Sequence, residues 1–250
     1  GEAKLDVFRA GLDPYIVNAA ATFRQSYEHI AAEHEAGRSD MRQVGKVQEL
    51  ALGFLGGAGA FEVFGRVYNV HLSVGEVARA VDGWRRANPW AMLHGQQLEG
   101  AYLRAMRNKN HEFSAGRVTY MFDGQMLWYS LPSGRVLCYP NAKFDDEGNV
   151  TYTKAAWKPA ADATEWPRAR LWRGLAVENV TQAAAHDILR HSLRQLDDVV
   201  LHVHDEIVVE CPADQAETTA ALMHRVMCAP PEWAAGLPLA AEGVTTTRYS

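Results

Sequence analysis

At Gly116 the texture of the sequence changes from apolar residues at three- and four-residue spacing to an aromatic, β-branched run with turn signals, and that switch constrains the fold more than any other feature. Upstream, Leu5 to Arg24, Met41 to Leu55 and Val74 to Asn88 each carry apolar side chains one helical turn apart, which predicts three helices. The third has a defined start, with Ser73 as N-cap and Glu76 as its capping-box partner. From Gly116, "GRVTYMFDGQMLWYSLPSGRVLCYP" is aromatic and β-branched, with turn signals at Asp123-Gly124 and Pro132-Ser133-Gly134, and reads as successive antiparallel strands. Asp145 to Ala163 is polar and punctuated by Gly and Pro, so an irregular segment is expected there. A helix from about Leu175 to Leu196, another from Ala213 to Met227, and a loop through "CAPPEWAAGLPLAAEG" leading to a terminal strand complete the prediction. The expected class is α+β, with one internal boundary.

With 48% hydrophobic and 22% charged residues among 250, and no apolar run of about 18, the composition predicts a soluble globular chain of one large or two small domains with no membrane partner. Cys138, Cys211 and Cys228 are far apart and form no Cys-x-x-Cys pair. They read as free thiols in a reducing, cytoplasmic setting, and zinc held by cysteine is not expected. No charged start followed by an apolar leader is visible. The net charge of −5 does not advertise a polyanion partner, although Arg168, Arg170, Arg173, Arg190 and Arg194 cluster in the C-terminal half.

In "VVLHVHDEIVVE", Val199 to Glu210, the alternation of Leu201, Val203, Ile207 and Val209 is broken only at His204-Asp205-Glu206, which predicts two strands meeting in a tight turn. The carboxylates of Asp205 and Glu206 would sit at its tip. They could simply populate a solvated turn. They could also bind a hard divalent cation, because two rigid strands fix a carboxylate well enough for octahedral Mg²⁺. His202 and His204 offer nitrogen, but no third zinc ligand is evident.

A second stretch, "SDMRQVGKVQELALGFLGGAGAF", puts Arg42 and Lys46 one helical turn apart, on the face of Leu50 and near Phe54. Both cations could be ordinary solvated residues of an amphipathic helix whose buried stripe is Val44, Val47, Ala51 and Phe54. The alternative is an anion clamp, with a ring one to two turns further on for base stacking. Gly56, Gly57 and Gly59 follow a helix rather than a strand, so they suit helix termination or close packing better than a nucleotide-binding loop.

Taken together, the two stretches resemble the family A DNA polymerases, of the DNA polymerase I type, and most closely their bacteriophage and prophage branch. Val203-His204-Asp205-Glu206 is similar to that family's motif C, and Arg42-x3-Lys46-x7-Phe54 to its motif B on the fingers helix. "LDVFRAGLDPY", "LPSGRVLCYPN" and "LAVENVTQAAAHDIL" extend the likeness over most of the chain. The resemblance implies part of a right-hand polymerase. Residues 1–25 would form the helix leading from palm to fingers, 26–128 the fingers, and 129–250 the C-terminal palm. It implies DNA-templated nucleotidyl transfer to a primer 3′-OH, with primer-template DNA and a dNTP as partners. Two Mg²⁺ ions would be held in part by Asp205, and Mn²⁺ could substitute. Glu206 would support that site, and His204 would orient the primer end. Arg42 and Lys46 would bind the triphosphate, Leu50 and Phe54 would line the nucleotide site, and Gln182 would reach the minor groove, whose acceptors are shared by all base pairs. A bacterial host or phage-infected cell would be the setting.

Leu50 stands where the family usually has Phe or Tyr, Phe54 where Tyr is usual, and Leu55 where Gly is usual. The motif A signature, Asp-aromatic-Ser-x-x-Glu-x-Arg, is absent. Asp6 and Asp13 do not replace it, being expected on a solvated helix face. The chain would therefore hold half of a two-metal site and need an upstream segment or second chain carrying motif A and the thumb. Two other classes stay open: a non-catalytic nucleic-acid-binding or accessory protein of this fold, and a metal-dependent nuclease using the Asp205-Glu206 tip.

Overall fold

The computed structural model describes residues 2–156 and 166–249. Helices and small antiparallel sheets make up the fold, as an α+β class requires, and the chain divides into two compact units. The first comprises residues 1–130 and 136–179, the second residues 131–135 and 180–250.

The first unit begins with helices α1 (Glu2–Arg9), α2 (Pro14–Phe23), α3 (Tyr27–Glu35), α4 (Asp40–Leu52), α5 (Ala58–Val67), α6 (Val74–Ala87) and α7 (Pro89–Arg107). The single helix expected over Leu5 to Arg24 is two. Gly11 takes φ +66°, and Pro14, which has no N–H to donate, opens a new helix that Asp13 caps by accepting from the Tyr15 and Ile16 amides. The Ser73–Glu76 capping box forms as expected. Helices α2 and α4 nearly touch at Gly45, where a Cβ would lie 2.0 Å from the Tyr15 carbonyl oxygen. Gln48, buried in the same interface, accepts from Thr22 and donates to the Ala80 carbonyl.

Strands β1 (Glu112–Ala115), β2 (Val118–Phe122), β3 (Leu127–Ser130) and β4 (Val136–Tyr139) form a meander in sequence order. Its β2–β3 turn is held by Asp123, which accepts from the Gln125 and Met126 amides and from the Trp128 indole N–H. Tyr102, Tyr120, Tyr129, Tyr139 and Tyr152 form a chain of ring contacts 4.9 to 6.0 Å apart through the core. Asp145 to Ala163 is not wholly irregular. Strands β5 (Lys143–Phe144), β6 (Val150–Thr153) and β7 (Arg168–Arg170) pair antiparallel, with Gly148 at φ +81° in the β5–β6 turn, while residues 157–163 lie outside the described residues.

Helix α8 (Arg173–Leu193) starts in the first unit and continues into the second. The second unit adds strands β8 (Val199–Val203) and β9 (Glu206–Val209) and helix α9 (Ala216–Met227), preceded by a 3-10 turn at Ala213–Gln215. Leu189, Leu196, Ile207 and Val226 form its core. The 131–135 turn is tied to α8 through Asp187, which accepts from Ser133 and pairs with Arg135 Nε at 2.6 Å. After α9 no strand occurs among the described residues, against expectation. Pro230, Pro231 and Pro238 remove ladder donors, and the chain forms only a 3-10 turn at Glu232–Ala234.

Candidate functional site

Helix α4 packs Val44, Val47, Ala51 and Leu52 inward and keeps Arg42 and Lys46 partly exposed, as its apolar period demands. Neither cation is simply solvated. Arg42 Nε lies 2.7 Å from Asp13 Oδ2, with its guanidinium 5.1 Å from the Tyr15 ring centre. Asp13 thus caps α2 and holds Arg42, so it is not the solvated helix residue that was expected. Lys46 Nζ sits 4.3 Å from the centre of the Tyr68 ring, a cation–π contact, and no carboxylate among the described residues lies within ion-pair range of it. Leu50 is half-buried on the same helix. Phe54 is not on it: α4 ends at Leu52, and Phe54 lies in the following turn, partly exposed.

That turn is made by Leu55, a non-glycine residue at φ +62°. Its side chain is buried, and a Cβ on Gly95 of α7 would fall 2.2 Å from Leu55 Cδ1. The buried Leu55 side chain is thus matched by a glycine on the facing helix. Gly56 is equally tight, with a Cβ position 2.1 Å from the Ala51 carbonyl oxygen, while its own carbonyl accepts from Arg85. Close packing accounts for Gly56. Gly57 is the N-cap of α5, and a Cβ on Gly59 would meet open space.

In the second unit, β8 and β9 pair antiparallel with Val203 opposite Glu206, so His204 and Asp205 form a two-residue turn. His204 takes φ +55°, a left-handed conformation rare outside glycine and tolerated somewhat better by His, Asn and Asp. Asp205 is exposed and has no side-chain hydrogen bond or ion pair among the described residues. Glu206 is engaged, accepting from the Tyr249 hydroxyl at 3.0 Å. That hydrogen bond raises the Tyr249 pKa above its ordinary value. The expected alternation is only half realised. Ile207 is buried, but Leu201 and Val203 are each 39% exposed, and the register shifts by one residue between Val199 and Leu201. Gln182 is exposed on α8.

No three His, Cys, Asp or Glu side chains among the described residues stand close enough to hold a metal ion. The tip offers one unengaged carboxylate, hard oxygen chemistry of the kind Mg²⁺ takes, but not a full ligand set. The three cysteines are free thiols, and no helix among the described residues is long and apolar enough to cross a membrane.

Over 252 aligned positions, the chain is 33% identical to a DNA polymerase of Bacillus phage SP02. The similarity takes in 99% of this chain. It spans only 38% of that protein. No family model matches the chain.

Sequence reasoning did not find Asp13, Tyr15 and Tyr68 as the partners of the α4 cations, or Tyr249 as the partner of Glu206. Only Asp13 left a signal, in the Asp13-Pro14 helix start. The others depend on contacts across 22 to 43 positions, which local patterns do not encode.

Proposed function

We propose that the chain is the fingers and C-terminal palm part of a family A DNA polymerase, built for DNA-templated nucleotidyl transfer to a primer 3′-OH. The similarity of 99% of this chain to part of a phage DNA polymerase carries this reading. On this reading residues 26–128 are fingers and 129–250 palm. Asp205 would hold Mg²⁺ together with carboxylates supplied by an upstream segment or a second chain. The bound ions would neutralise charge on the transferring phosphate and draw the primer hydroxyl toward its anion.

The protein's own contribution is positioning and charge. The backbone at Asp205 is held by two strands and by a turn that His204 makes possible, so only its side-chain rotamer is left to be ordered on binding. Glu206 supports the tip, His204 orients the primer end, and Gln182 reads acceptors common to all base pairs. Lys46, steered by the Tyr68 ring, binds the incoming triphosphate and favours charge on the departing pyrophosphate. Phe54 and Leu50 line the nucleotide site, Leu50 without a ring to stack. Arg42 reaches the triphosphate by exchanging Asp13 for a phosphate oxygen.

The test is primer extension. The purified chain alone is expected to be inactive and to gain Mg²⁺-dependent extension when an upstream segment with the motif A carboxylate and thumb is added. Extension by the chain alone, or none after addition to a folded mixture, refutes this. The Arg42–Asp13 pair favours a second reading, a non-catalytic nucleic-acid-binding protein of this fold, in which Arg42 is structural. That reading requires DNA binding with no extension under either condition.

A further inference from the structure

We infer that a groove of about 380 Å³ between α7 and the β1–β2 turn holds the sugar–phosphate backbone of a single nucleic-acid strand. One wall is a face of α7 on which Gln97, Gly100, Arg104 and Arg107 follow one another at helical spacing. The other is Ser114 to Gly116. Arg104 and Arg107 are both exposed, and no carboxylate among the described residues pairs with either. Aromatic rings hold them instead. The Arg104 guanidinium lies 5.1 Å from the centre of the Phe113 ring, and that of Arg107 lies 5.9 Å from the centre of Phe144. Arg104 Nε also donates to the Gly100 carbonyl, which fixes its plane, and its terminal nitrogens have no hydrogen-bond partner among the described residues. A guanidinium stacked on a ring keeps its full charge and edge donors, the arrangement that suits a phosphate oxygen pair.

The groove floor is open by composition. A Cβ on Gly100 or on Gly116 would meet nothing within 4 Å, and Gly116 makes the turn at φ +60°. The local charge also departs from the rest of the chain. Between Arg104 and Arg117 there are four cations, Arg104, Arg107, Lys109 and Arg117, and one acid, Glu112, in a chain of net charge −5. A polyanion would be repelled by the average surface and drawn to this stretch. A recess walled on both sides admits the phosphates of one strand more readily than the convex side of a duplex.

The inference rests on the polymerase reading, but the two fail separately. Extension by the completed enzyme at saturating DNA reports on that reading whether or not the groove variants lose strand affinity. Anisotropy titration of the full chain against a labelled single-stranded oligonucleotide, with a blunt duplex of the same sequence as a second arm, tests the groove. The double variant Arg104→Ala/Arg107→Ala should weaken strand binding about tenfold or more and flatten the salt dependence by roughly 1.4 in log–log slope, two phosphates' worth. Gly100→Leu, which fills the groove and removes no charge, should weaken it similarly while keeping or raising the melting temperature, because leucine favours helix over glycine. Arg225→Ala on α9 should change little. Unchanged affinity in both groove variants, equal loss in Arg225→Ala, tighter binding of the duplex with the same dependence on the groove, or no strand binding by the parent chain would each overturn the inference.

Discussion

Helix α4 and the β8–β9 hairpin hold their charges in opposite ways. On α4 each cation is already engaged inside its own unit, Arg42 by Asp13 and Tyr15, Lys46 by the Tyr68 ring. At the hairpin, Asp205 is exposed and unengaged, on a turn whose backbone is left-handed at His204. A charge held by partners contributes to stability and must exchange them to bind a ligand. A charge held only by backbone geometry contributes little to stability and is available at once. The two regions should therefore separate when mutated.

The largest effect is expected at the hairpin. On the proposed reading, in a polymerase completed by an added upstream segment, Asp205→Asn should reduce single-turnover incorporation to background at saturating nucleotide across a Mg²⁺ and Mn²⁺ titration. Stability should change by roughly 0.5 kcal/mol or less, because no partner is lost. Near-normal incorporation would make the tip an ordinary turn. A large loss of stability with lost activity would mean that Asp205 has a structural role its exposure does not suggest.

The difference between the regions also marks how far the sequence could be read. The hairpin was legible because it is local: a two-residue turn between two apolar runs fixes its own register, and only the partial exposure of Leu201 and Val203 escaped. The Ser73 capping box and the Asp123 and Ser133 turns were legible for the same reason. The break at Gly11, the additional helices α3, α5 and α7, and strands β5 to β7 were not. The first needed Asp13-Pro14 to outweigh a continuous apolar period, and the others needed tertiary burial to stabilise weak local signals. On α4 the helix itself was readable, but what holds its cations was not, because Asp13 and Tyr15 arrive from α2 and Tyr68 from the end of α5. The Leu55–Gly95 contact is of the same kind, one substitution understood only beside its neighbour.

Within α4 the two cations should also behave differently. Lys46→Ala should lower incorporation about ten- to a hundredfold in the completed enzyme while primer-template affinity and melting temperature stay nearly unchanged, since its ring contact is partly exposed. Arg42→Ala should differ in kind. It releases Asp13, a helix cap and ion-pair partner, and should destabilise the chain by about 1 kcal/mol in denaturant titration, in the chain alone as in the completed enzyme. Equal stability losses in the two variants would remove the distinction between a triphosphate binder and a residue with a second, structural role.

The smallest effect is expected where the hairpin most resembles α4, at Glu206, the tip carboxylate that does have a partner. The neutral Tyr249 phenol donates to it, and that bond raises the phenol's pKa. A raised folded-state value favours the protonated form. The contact's contribution is therefore fully present below the unfolded tyrosine value near pH 10 and is lost as pH rises through the higher folded value. Tyr249→Phe should change incorporation by no more than about twofold and remove one late-ionising phenol from the alkaline absorbance titration. Glu206→Gln should shift that same phenol back toward the ordinary tyrosine range, because the anionic acceptor is gone. A Tyr249 signal unmoved by Glu206→Gln would show that the tail does not rest on the tip, and Glu206 would then stand, like Asp205, as a carboxylate held by the backbone alone.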